Sequence, residues 1–390
     1  MSVLDATNPY RPGAGLAPPV LAGRDALLEE FDTLLAEVPR TGEGQRPWAV
    51  AGARGVGKTV LLLEMLQRAH DAGWTTARLE AGPPDSLVES LTRALYIPLR
   101  QAAGRARPGK ALRRVLAVFS ALRVTVDSAG TLSFGVDVEP PAEDTGADLG
   151  TDLHHLLHAL GEWARAEGTA VLLTIDELDA APQAEIAALN RALHRLGQDD
   201  LPVPVHVVAA GQAALPGTLA RATAYAERLW AFHHIGPLDD DAAAHALRAP
   251  AAHLRVSWEE GAVDLAVRSS WGVPFLLQSI GRFAWQLRTG AVITRDDAAA
   301  AVELALADAR GLFAARWEQL TQAQQFFVGA LADAGGEADL GDLAAALGRA
   351  PGRLGRVRSD LVARGVVEPA GRGRVRFPLP GFAEYVRAAR

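Results

Sequence analysis

Apolar residues recur along the chain with two different spacings. Between residues 24 and 38 they return every three or four positions, which predicts a helix. Five short apolar runs have the composition of buried strands and are separated by helical patterns, and they lie at 48–51, 75–80, 169–175, 203–210 and 229–235. Strands that alternate with helices predict a parallel sheet covered on both faces, so the expected fold class is α/β.

The same patterns divide the chain into four parts. Residues 1–20 carry prolines that oppose helix formation, and they predict an extended N-terminal arm. Residues 21–236 hold the strands of a core, which an insertion at 104–150 interrupts with the alternating pattern of a β-hairpin. Residues 237–310 show only helical patterns, and residues 311–390 predict three helices followed by two short strands.

The composition excludes several classes of site. The chain of 390 residues has no cysteine, which excludes disulfides, cysteine–zinc centres and cysteine nucleophiles. No apolar run reaches the roughly 18 residues that a membrane helix needs, and no signal peptide is visible, so we expect a cytoplasmic protein without membrane contact. Almost all positive charge is arginine, and Lys58 and Lys110 are the only two lysines. A phosphate loop is one place where arginine substitutes badly for the compact lysine ammonium.

The run from Gly52 to Thr59 (GARGVGKT) matches the phosphate-loop pattern G-x-x-x-x-G-K-[ST]. Glycines let backbone N–H groups close around phosphate oxygens, and the helix that follows offers its positive N-terminal end. We expect Lys58 to reach the β- and γ-phosphates and the Thr59 hydroxyl to bind Mg²⁺. The sequence therefore predicts an ATP–Mg²⁺ site formed by Gly52, Arg54, Gly55, Val56, Gly57, Lys58, Thr59 and Val60.

A pair of acids follows the apolar run 170–175. Asp176 and Glu177 come directly after this predicted strand, at the edge where parallel sheets bind ligands. We expect Asp176 to hold the Mg²⁺ shell and Glu177 to orient and polarise the attacking water. An acid pair after a strand is also common as a helix cap, which is the alternative interpretation.

Two further polar residues stand at the ends of later strands. Gln212 follows the run 203–210 and is a candidate to hydrogen-bond the γ-phosphate or the water. Arg228 precedes the last strand and is a candidate to stabilise charge in the transition state, within one molecule or across an interface. The structural alternatives are a loop cap for Gln212 and a surface ion pair for Arg228.

Three additional segments complete a pattern found in one family. They are LAGRD at 21–25 before the core, GPLD at 236–239 at the start of the helical part, and WGVP at 271–274 within it. With the two phosphate motifs and Arg228, they resemble an AAA+/STAND-type P-loop ATPase, of the branch with archaeal ATPases and replication-initiator ATPases. The resemblance implies an ASCE-type core with sheet order 5-1-4-3-2, a helical lid at 237–310 and a C-terminal winged helix at 311–390.

The resemblance also implies where the base binds. Val20, Leu21 and Pro274 would line the adenine, with Gly23 and Arg24 beside it. Two features depart from the family pattern, and both bear on the rate of hydrolysis rather than on nucleotide binding. The sensor position holds Gln212 where asparagine, serine or threonine is commoner, and the lid has no obvious second sensor arginine except Arg282.

The C-terminal part carries a local excess of arginine. Two predicted helices at 339–347 and 351–364 resemble a helix-turn-helix, and strands at 366–368 and 374–377 would form a wing. Between residues 349 and 376 there are eight arginines and two acids, in a chain whose net charge is −7. This contrast is typical of a surface that faces double-stranded DNA, although a structural or protein-docking module is the alternative. The candidate DNA or partner contacts are Arg353, Arg356, Arg372 and Arg374.

These features favour an ATP-driven switch. ATP would close the lid on the core and reposition the winged helix, which changes its binding to DNA or to a partner, and hydrolysis would reset it. One alternative is a STAND-type signalling NTPase that forms a homo-oligomer or assembles with a separate effector, without DNA. Another is a slow hydrolase that uses ATP mainly as a structural ligand.

Overall fold

The computed structural model describes residues 7–13, 15–82, 85–87, 89–95, 113–115, 124–126, 132–134, 149–379 and 381–390. Its strands are β1 (Trp48–Ala51), β2 (Thr75–Glu80), β3 (Val124–Val126), β4 (Leu132–Phe134), β5 (Val171–Asp176), β6 (Val205–Gly211), β7 (Ala231–His234), β8 (Ser257–Trp258), β9 (Val292–Ile293), β10 (Glu337–Asp339), β11 (Glu368–Pro369) and β12 (Arg374–Arg376). Its helices are α1 (Asp25–Thr41), α2 (Lys58–Asp71), α3 (Leu149–Ala166), α4 (Gln183–Leu196), α5 (Leu215–Ala222), α6 (Ala226–Leu229), α7 (Asp240–His253), α8 (Glu260–Ser270), α9 (Pro274–Leu287), α10 (Arg295–Glu318), α11 (Gln322–Asp333), α12 (Leu340–Ala346), α13 (Pro351–Ala363) and α14 (Phe382–Ala389).

The core is a five-stranded parallel sheet with the order β2-β5-β6-β1-β7. Numbered along the chain as strands one to five, this order is the predicted 5-1-4-3-2 read from the opposite edge. Every residue of β1, β5 and β6 is buried, which explains why these strands are continuous apolar runs rather than alternating ones. The predicted parallel α/β core is therefore confirmed.

Helices cover both faces of the sheet. On one face the apolar sides of α3 and α4 pack with Leu173 and Val207 in one cluster. On the other face α1 and α2 pack with Leu172 and Val208 in a second cluster. Successive strand residues point to opposite faces, so each strand contributes to both clusters.

Most of the predicted insertion at 104–150 lies outside the described residues. Within it, β3 and β4 pair antiparallel as two short strands, in agreement with the predicted hairpin. Lys110, the second of the two lysines, also lies outside the described part of the chain.

The region predicted as purely helical contains one small exception. Two-residue strands β8 and β9 pair in parallel beside helices α7 to α10, so the expectation of helices alone was wrong. Strands this short do not disturb the helical spacing of the apolar residues around them, which is why the pattern missed them. Their partner residues Trp258 and Ile293 are both buried in the core of the lid.

Helix α10 joins the lid to the C-terminal part without a break. It has 24 residues, and the boundary expected between 310 and 311 falls inside it. Its first half packs in the lid core through Ala298, Ala301 and Ala305, whereas Ala309 and Phe313 belong to the C-terminal core. Neither α10 nor any other helix in the described ranges is long and apolar enough to cross a membrane.

The C-terminal part is a unit of four helices and a small antiparallel sheet. Its elements follow in the order α11, β10, α12, α13, β11, β12 and α14, and the sheet order is β10-β12-β11. Strand β10 and helix α14 were not predicted from the sequence. The turn between α12 and α13 lies at the expected residues 348–350, and the interpretation of this unit as a winged helix stays a prediction.

The N-terminal arm is anchored in the lid. Tyr10 is almost fully buried, its hydroxyl donates to the carbonyl of Leu247 at 2.5 Å, and it accepts a hydrogen bond from Trp258 Nε1 at 2.8 Å. Burial raises the pKa of Tyr10, so the neutral phenol is the stable form. Gly281 makes room for the ring, because a Cβ there would lie 2.6 Å from Tyr10 Cδ1.

Candidate nucleotide site

The glycine loop closes tightly between β1 and α2. Gly55 and Gly57 have φ angles of +85° and +95°, in the left-handed region that other residues rarely adopt. Gly57 is the residue that precedes α2, so the free N–H groups of the first helical turn face the loop. This backbone can surround an anion without interference from side chains.

The Lys58 side chain folds back onto this loop. Its Nζ donates to the carbonyls of Gly52 at 2.9 Å and Ala53 at 2.7 Å. Burial lowers the pKa of Lys58, and the nearby carboxylates of Asp179 and Asp176 partly offset this effect. The ammonium is therefore held inside the loop that precedes it, next to the place where phosphates would bind.

Thr59 and Asp176 meet at the edge of the sheet. The Thr59 hydroxyl donates to Asp176 Oδ2 at 2.7 Å, while Asp176 Oδ1 accepts from the Glu177 backbone N–H at 3.0 Å. Asp176 is buried at the end of β5, so these two contacts fix the orientation of its carboxylate. The structure places the two oxygens side by side, and the predicted roles of Thr59 and Asp176 at a Mg²⁺ ion stay predictions.

Glu177 follows in a strained conformation. Its φ is +50°, which is uncommon for a residue with a side chain and is often found at functional sites. Burial raises the pKa of Glu177 above the usual value of a glutamate, whereas the positive charge of Arg54 lowers it. A carboxylate with a raised pKa beside a phosphate loop is suited to act as a general base.

Asp179 is a site residue that the sequence prediction missed. It lies in the short 3₁₀ helix Leu178–Ala180 directly after the acid pair, and it lines the same cavity as Lys58. Its Oδ1 accepts a hydrogen bond from the Gln212 backbone N–H at 3.0 Å, which connects the ends of β5 and β6. The spacing D-E-x-D at 176–179 was the available signal.

A cavity of about 450 Å³ extends from the phosphate loop toward the lid. This is a size typical of nucleotide and other small-molecule sites. Val20, Leu21 and Pro274 line it, as predicted for the base, and residues of the N-terminal arm close one side. Gln278 also lines the cavity, and its Oε1 accepts from the Arg11 backbone N–H at 3.0 Å, so the arm and the lid share one wall.

Arg24 lines the cavity and joins three parts of the chain. Its guanidinium donates to the carbonyl of Gly236 at 2.6 Å and to that of Val56 at 3.1 Å. Burial lowers the pKa of Arg24, and the charge of Asp239 counteracts this. The side chain thus ties the segment before the core to the phosphate loop and to the start of the lid.

Two predicted loop residues lie behind the cavity wall rather than in it. Gly23 faces the lid, where an added Cβ would come within 2.8 Å of Ala242 Cβ. Gly52 faces the end of β7, where a Cβ would lie 2.4 Å from the carbonyl oxygen of Ile235. Both glycines permit close packing, and the expected place of Gly23 beside the base stays a prediction.

Two predicted arginines do not reach the cavity of their own chain. Arg228 is exposed on the short helix α6 and does not line the cavity, so its predicted role within one molecule is not supported. Arg282 forms an ion pair with Asp308 at 3.7 Å, and its guanidinium lies over the ring of Phe283. Arg282 does not line the cavity, so the structure gives no support to it as a second sensor.

The remaining predicted residues do surround one cavity. They are Arg54, Gly55, Val56, Gly57, Lys58, Thr59, Val60, Asp176, Glu177 and Gln212. The C-terminal part adds two residues that the sequence prediction missed, Arg316 at the end of α10 and Leu379 after β12. Nothing in their local sequence distinguishes them from other surface residues, because their position depends on how the parts of the chain pack together.

The Gln212 side chain is in contact with the C-terminal unit. A Cβ built on Gly365 would lie 2.1 Å from Gln212 Oε1 and 3.3 Å from Arg54 Nε. Gly365 ends the turn after α13 with a φ of +62°. The predicted sensor residue thus reaches from the core to the C-terminal unit.

Comparisons with known proteins agree with this geometry. Residues 20–208 match the family described as AAA ATPase domain, and residues 310–386 match a family described as Domain of unknown function (DUF8462). The fold is similar to that of the Walker-type ATPase PABY2304 of Pyrococcus abyssi, with a TM-score of 0.61 and 15% identity over 99% of each chain. It is also similar to that of the Aeropyrum pernix ORC2 protein in its ADPNP–ADP complexes, with a TM-score of 0.59 and 15% identity over 96% of each chain. No curated protein matches the chain. The predicted resemblance to AAA+ P-loop ATPases is confirmed, and its STAND-type and winged-helix parts stay predictions.

Lys58→Ala is expected to lower ATP affinity by roughly two orders of magnitude. Charge-assisted hydrogen bonds contribute about 1.5–3 kcal/mol, and no other lysine lies in the motif. Titration with a fluorescent ATP analogue measures the change. Lys110→Ala removes the only other lysine and serves as the matched control, which should bind normally. Unchanged affinity in Lys58→Ala would contradict the assignment of this site.

Glu177 is expected to act only in its ionised form, because only the carboxylate accepts a proton from water. Turnover at saturating ATP should therefore fall as the pH is lowered through the raised pKa of Glu177. Arg54→Ala removes a cation that favours the carboxylate, so the acidic limb of the pH–rate profile should move to higher pH. Glu177→Gln should lower turnover at least about a hundredfold while ATP still binds.

The control for this series is Arg40→Ala. Arg40 is exposed in the last turn of α1 and does not line the cavity, so the pH–rate profile should keep its position. Full turnover in Glu177→Gln, or an unshifted acidic limb in Arg54→Ala, would show that another group takes the proton.

Proposed function

Because residues 20–208 form an AAA ATPase domain and the chain is an ATPase, we propose that it is a molecular switch. The state of the bound nucleotide would control the position of the C-terminal unit, and that unit would bind double-stranded DNA or a partner protein. The observation that carries this proposal is the direct contact between the C-terminal unit and the residues around the nucleotide cavity.

The proposed roles in hydrolysis follow from the positions of the side chains. Lys58 would bind the phosphate oxygens, and the loop N–H groups would surround the β-phosphate. Glu177 would take the proton from the attacking water, held in reach by its fixed backbone. Gln212, at the end of β6, would hydrogen-bond the γ-phosphate or the water.

The residues present fit a magnesium ion. Mg²⁺ prefers oxygen ligands and usually keeps waters while it binds one or two carboxylates and the phosphates of the substrate. Thr59 Oγ1 and Asp176 Oδ2 lie 2.7 Å apart at the cavity edge, so both oxygens could bind one ion. When bound, the ion would neutralise charge on the phosphates. Groups of three or more His, Cys, Asp or Glu that could hold a metal are absent from the described residues.

The switch rests on the surface between the ATPase domain and the C-terminal unit. Gln212 and Arg54 contact the turn at Gly365, and Ala213 and Val367 line the same small gap between the two parts. Any movement of Gln212 or Arg54 on loss of the γ-phosphate would therefore act on this turn. Direct packing, rather than a flexible linker, would therefore couple ATP hydrolysis to the position of the C-terminal unit.

The C-terminal unit has a basic surface that would bind double-stranded DNA. Arg353 and Arg356 are exposed on α13, and Arg372 is exposed in the turn between β11 and β12. Arg374 instead pairs with Glu337 at 2.9 Å, so its availability to DNA is reduced. Helix α13 would be the element that enters the major groove, as in a helix-turn-helix.

Binding of a protein partner is the second candidate function of the C-terminal unit. Phe326 is about half exposed (52%) on α11, and aromatic side chains of this kind are enriched in protein interfaces. In this version the chain would act as a STAND-type assembly switch without DNA. Arg228, exposed near the edge strand β7, would then contact the nucleotide of a neighbouring copy in a homo-oligomer.

Gly365→Ala is expected to disturb the switch. A Cβ at this position would lie 2.1 Å from Gln212 Oε1, so the Gln212 side chain would have to move and would lose its present contact with this turn. Since the chain has no cysteine, Ala72→Cys and Ala388→Cys provide two exposed positions for a fluorophore pair. The distance between them should depend on the nucleotide in the parent chain and lose this dependence in Gly365→Ala.

Gly348→Ala is the matched control for this experiment. Gly348 has nearly the same φ, +61°, but a Cβ there would meet no atom within 4 Å. Gly348→Ala therefore carries the same cost of a left-handed backbone conformation as Gly365→Ala, but it does not disturb a contact with Gln212. A parent chain whose distance is the same with ADP and with a triphosphate analogue would refute the switch.

Arg353→Ala combined with Arg356→Ala is expected to weaken binding to duplex DNA. Each phosphate contact on B-DNA contributes about 0.9 to the slope of log K against log salt, so the slope should fall by about 2. Fluorescence anisotropy over a salt series measures both quantities. Arg387→Ala with Arg390→Ala removes two exposed arginines that pair with Glu384 and Asp333, and it should change neither. If the parent chain does not bind duplex DNA, or binds it with an affinity that does not depend on salt, a protein partner is favoured.

A further inference from the structure

Arg316 enters the nucleotide cavity from outside the ATPase domain. It lies in the last turn of α10, between the lid and the C-terminal unit, and it lines the cavity beside Phe275 and Leu379. It is partly buried, and no hydrogen bond or ion pair to another described residue holds its guanidinium. A partly buried guanidinium without an acid partner is costly, because burial removes hydration that nothing replaces.

The surroundings of Arg316 are positively charged. Burial lowers the pKa of Arg316, and the neighbouring guanidinium of Arg54 lowers it further. Arg54 itself lies close enough to Glu177 and Lys58 to act on the pKa of both. Arg316 therefore lies beside Arg54, on the side of the cavity where Glu177 lies, and an anion there would relieve the repulsion between the two arginines.

From this geometry we infer that Arg316 binds the terminal phosphate of the nucleotide within its own chain. The inference rests on the proposed function, because it requires a triphosphate in this cavity. A planar guanidinium can bind two phosphate oxygens at once, which suits a terminal phosphate better than a bridging one. Arg316 thus takes the place of the lid arginine that the sequence lacks, since Arg282 is engaged elsewhere.

The position of Arg316 on α10 links this contact to the C-terminal unit. Phe313, three residues earlier, lies 5.4 Å from the ring of Phe382 and 5.9 Å from that of Tyr385 between ring centroids. Residues three apart lie on neighbouring positions of one helix face, so the same face that packs on α14 also presents Arg316 to the cavity. Loss of the terminal phosphate would remove one of the contacts that hold α10 and α14 against the ATPase domain.

The test compares affinities for ADP and for a non-hydrolysable ATP analogue by isothermal titration calorimetry. Arg316→Ala should weaken binding of the triphosphate analogue by roughly tenfold to a hundredfold, while ADP affinity stays within about threefold of the parent. Retained ADP binding also shows that the variant is folded. Arg316→Lys keeps the positive charge but loses the planar guanidinium that can bind two oxygens. Its affinity for the analogue should therefore lie between those of the parent and of Arg316→Ala.

Arg310→Ala is the matched control, because Arg310 is exposed on the same helix and does not line the cavity. It should bind both nucleotides as the parent does. Equal losses for ADP and for the analogue in Arg316→Ala, or no loss for either, would overturn the inference while ATP binding by the parent stands. A parent chain that binds neither nucleotide would overturn the proposed function and this inference together.

Discussion

The tight connection between β1 and α2 is the constraint on which the rest of the structure depends. Six residues lead from a fully buried strand to the first turn of a helix, and Gly55 and Gly57 make this possible with left-handed backbone. The loop places Lys58 and the free N–H groups of α2 at the carboxyl edge of the sheet. The positions of the other elements around the cavity depend on this loop.

Arg24 shows how the neighbouring parts are held to that loop. Its guanidinium joins the carbonyls of Val56 and Gly236, so the segment before the core and the start of the lid meet at the phosphate loop. The lid in turn binds the N-terminal arm through buried Tyr10 and through Gln278. The wall proposed for the base is therefore assembled from three segments that these hydrogen bonds join, and the buried bond between Tyr10 and Leu247 is the one most costly to leave unpaired.

The electrostatics of the cavity favour an anion with several charges. Arg24, Lys58 and Arg316 all have a pKa lowered by burial, which means that each cation has lost hydration. Asp176 and Asp179 compensate Lys58, and Asp239 compensates Arg24, but the described acids leave Arg316 beside another arginine. A triphosphate would balance this excess, and the charge of the third phosphate would matter most where Arg54 and Arg316 approach each other.

The amino-acid sequence by itself determined the features that depend on local backbone conformation. The phosphate loop, the acid pair after β5, the alternation of strands and helices and the turn before α13 are each encoded within a few consecutive residues, because glycine positions and apolar spacing fix the backbone there. Only the tertiary structure decided which distant side chains share the cavity. Arg316, Leu379 and Gln278, and the contact of Gln212 with Gly365, depend on how the lid and the C-terminal unit pack on the core. That packing is driven by buried apolar faces, which carry no information about which polar residue at their edge will face the nucleotide.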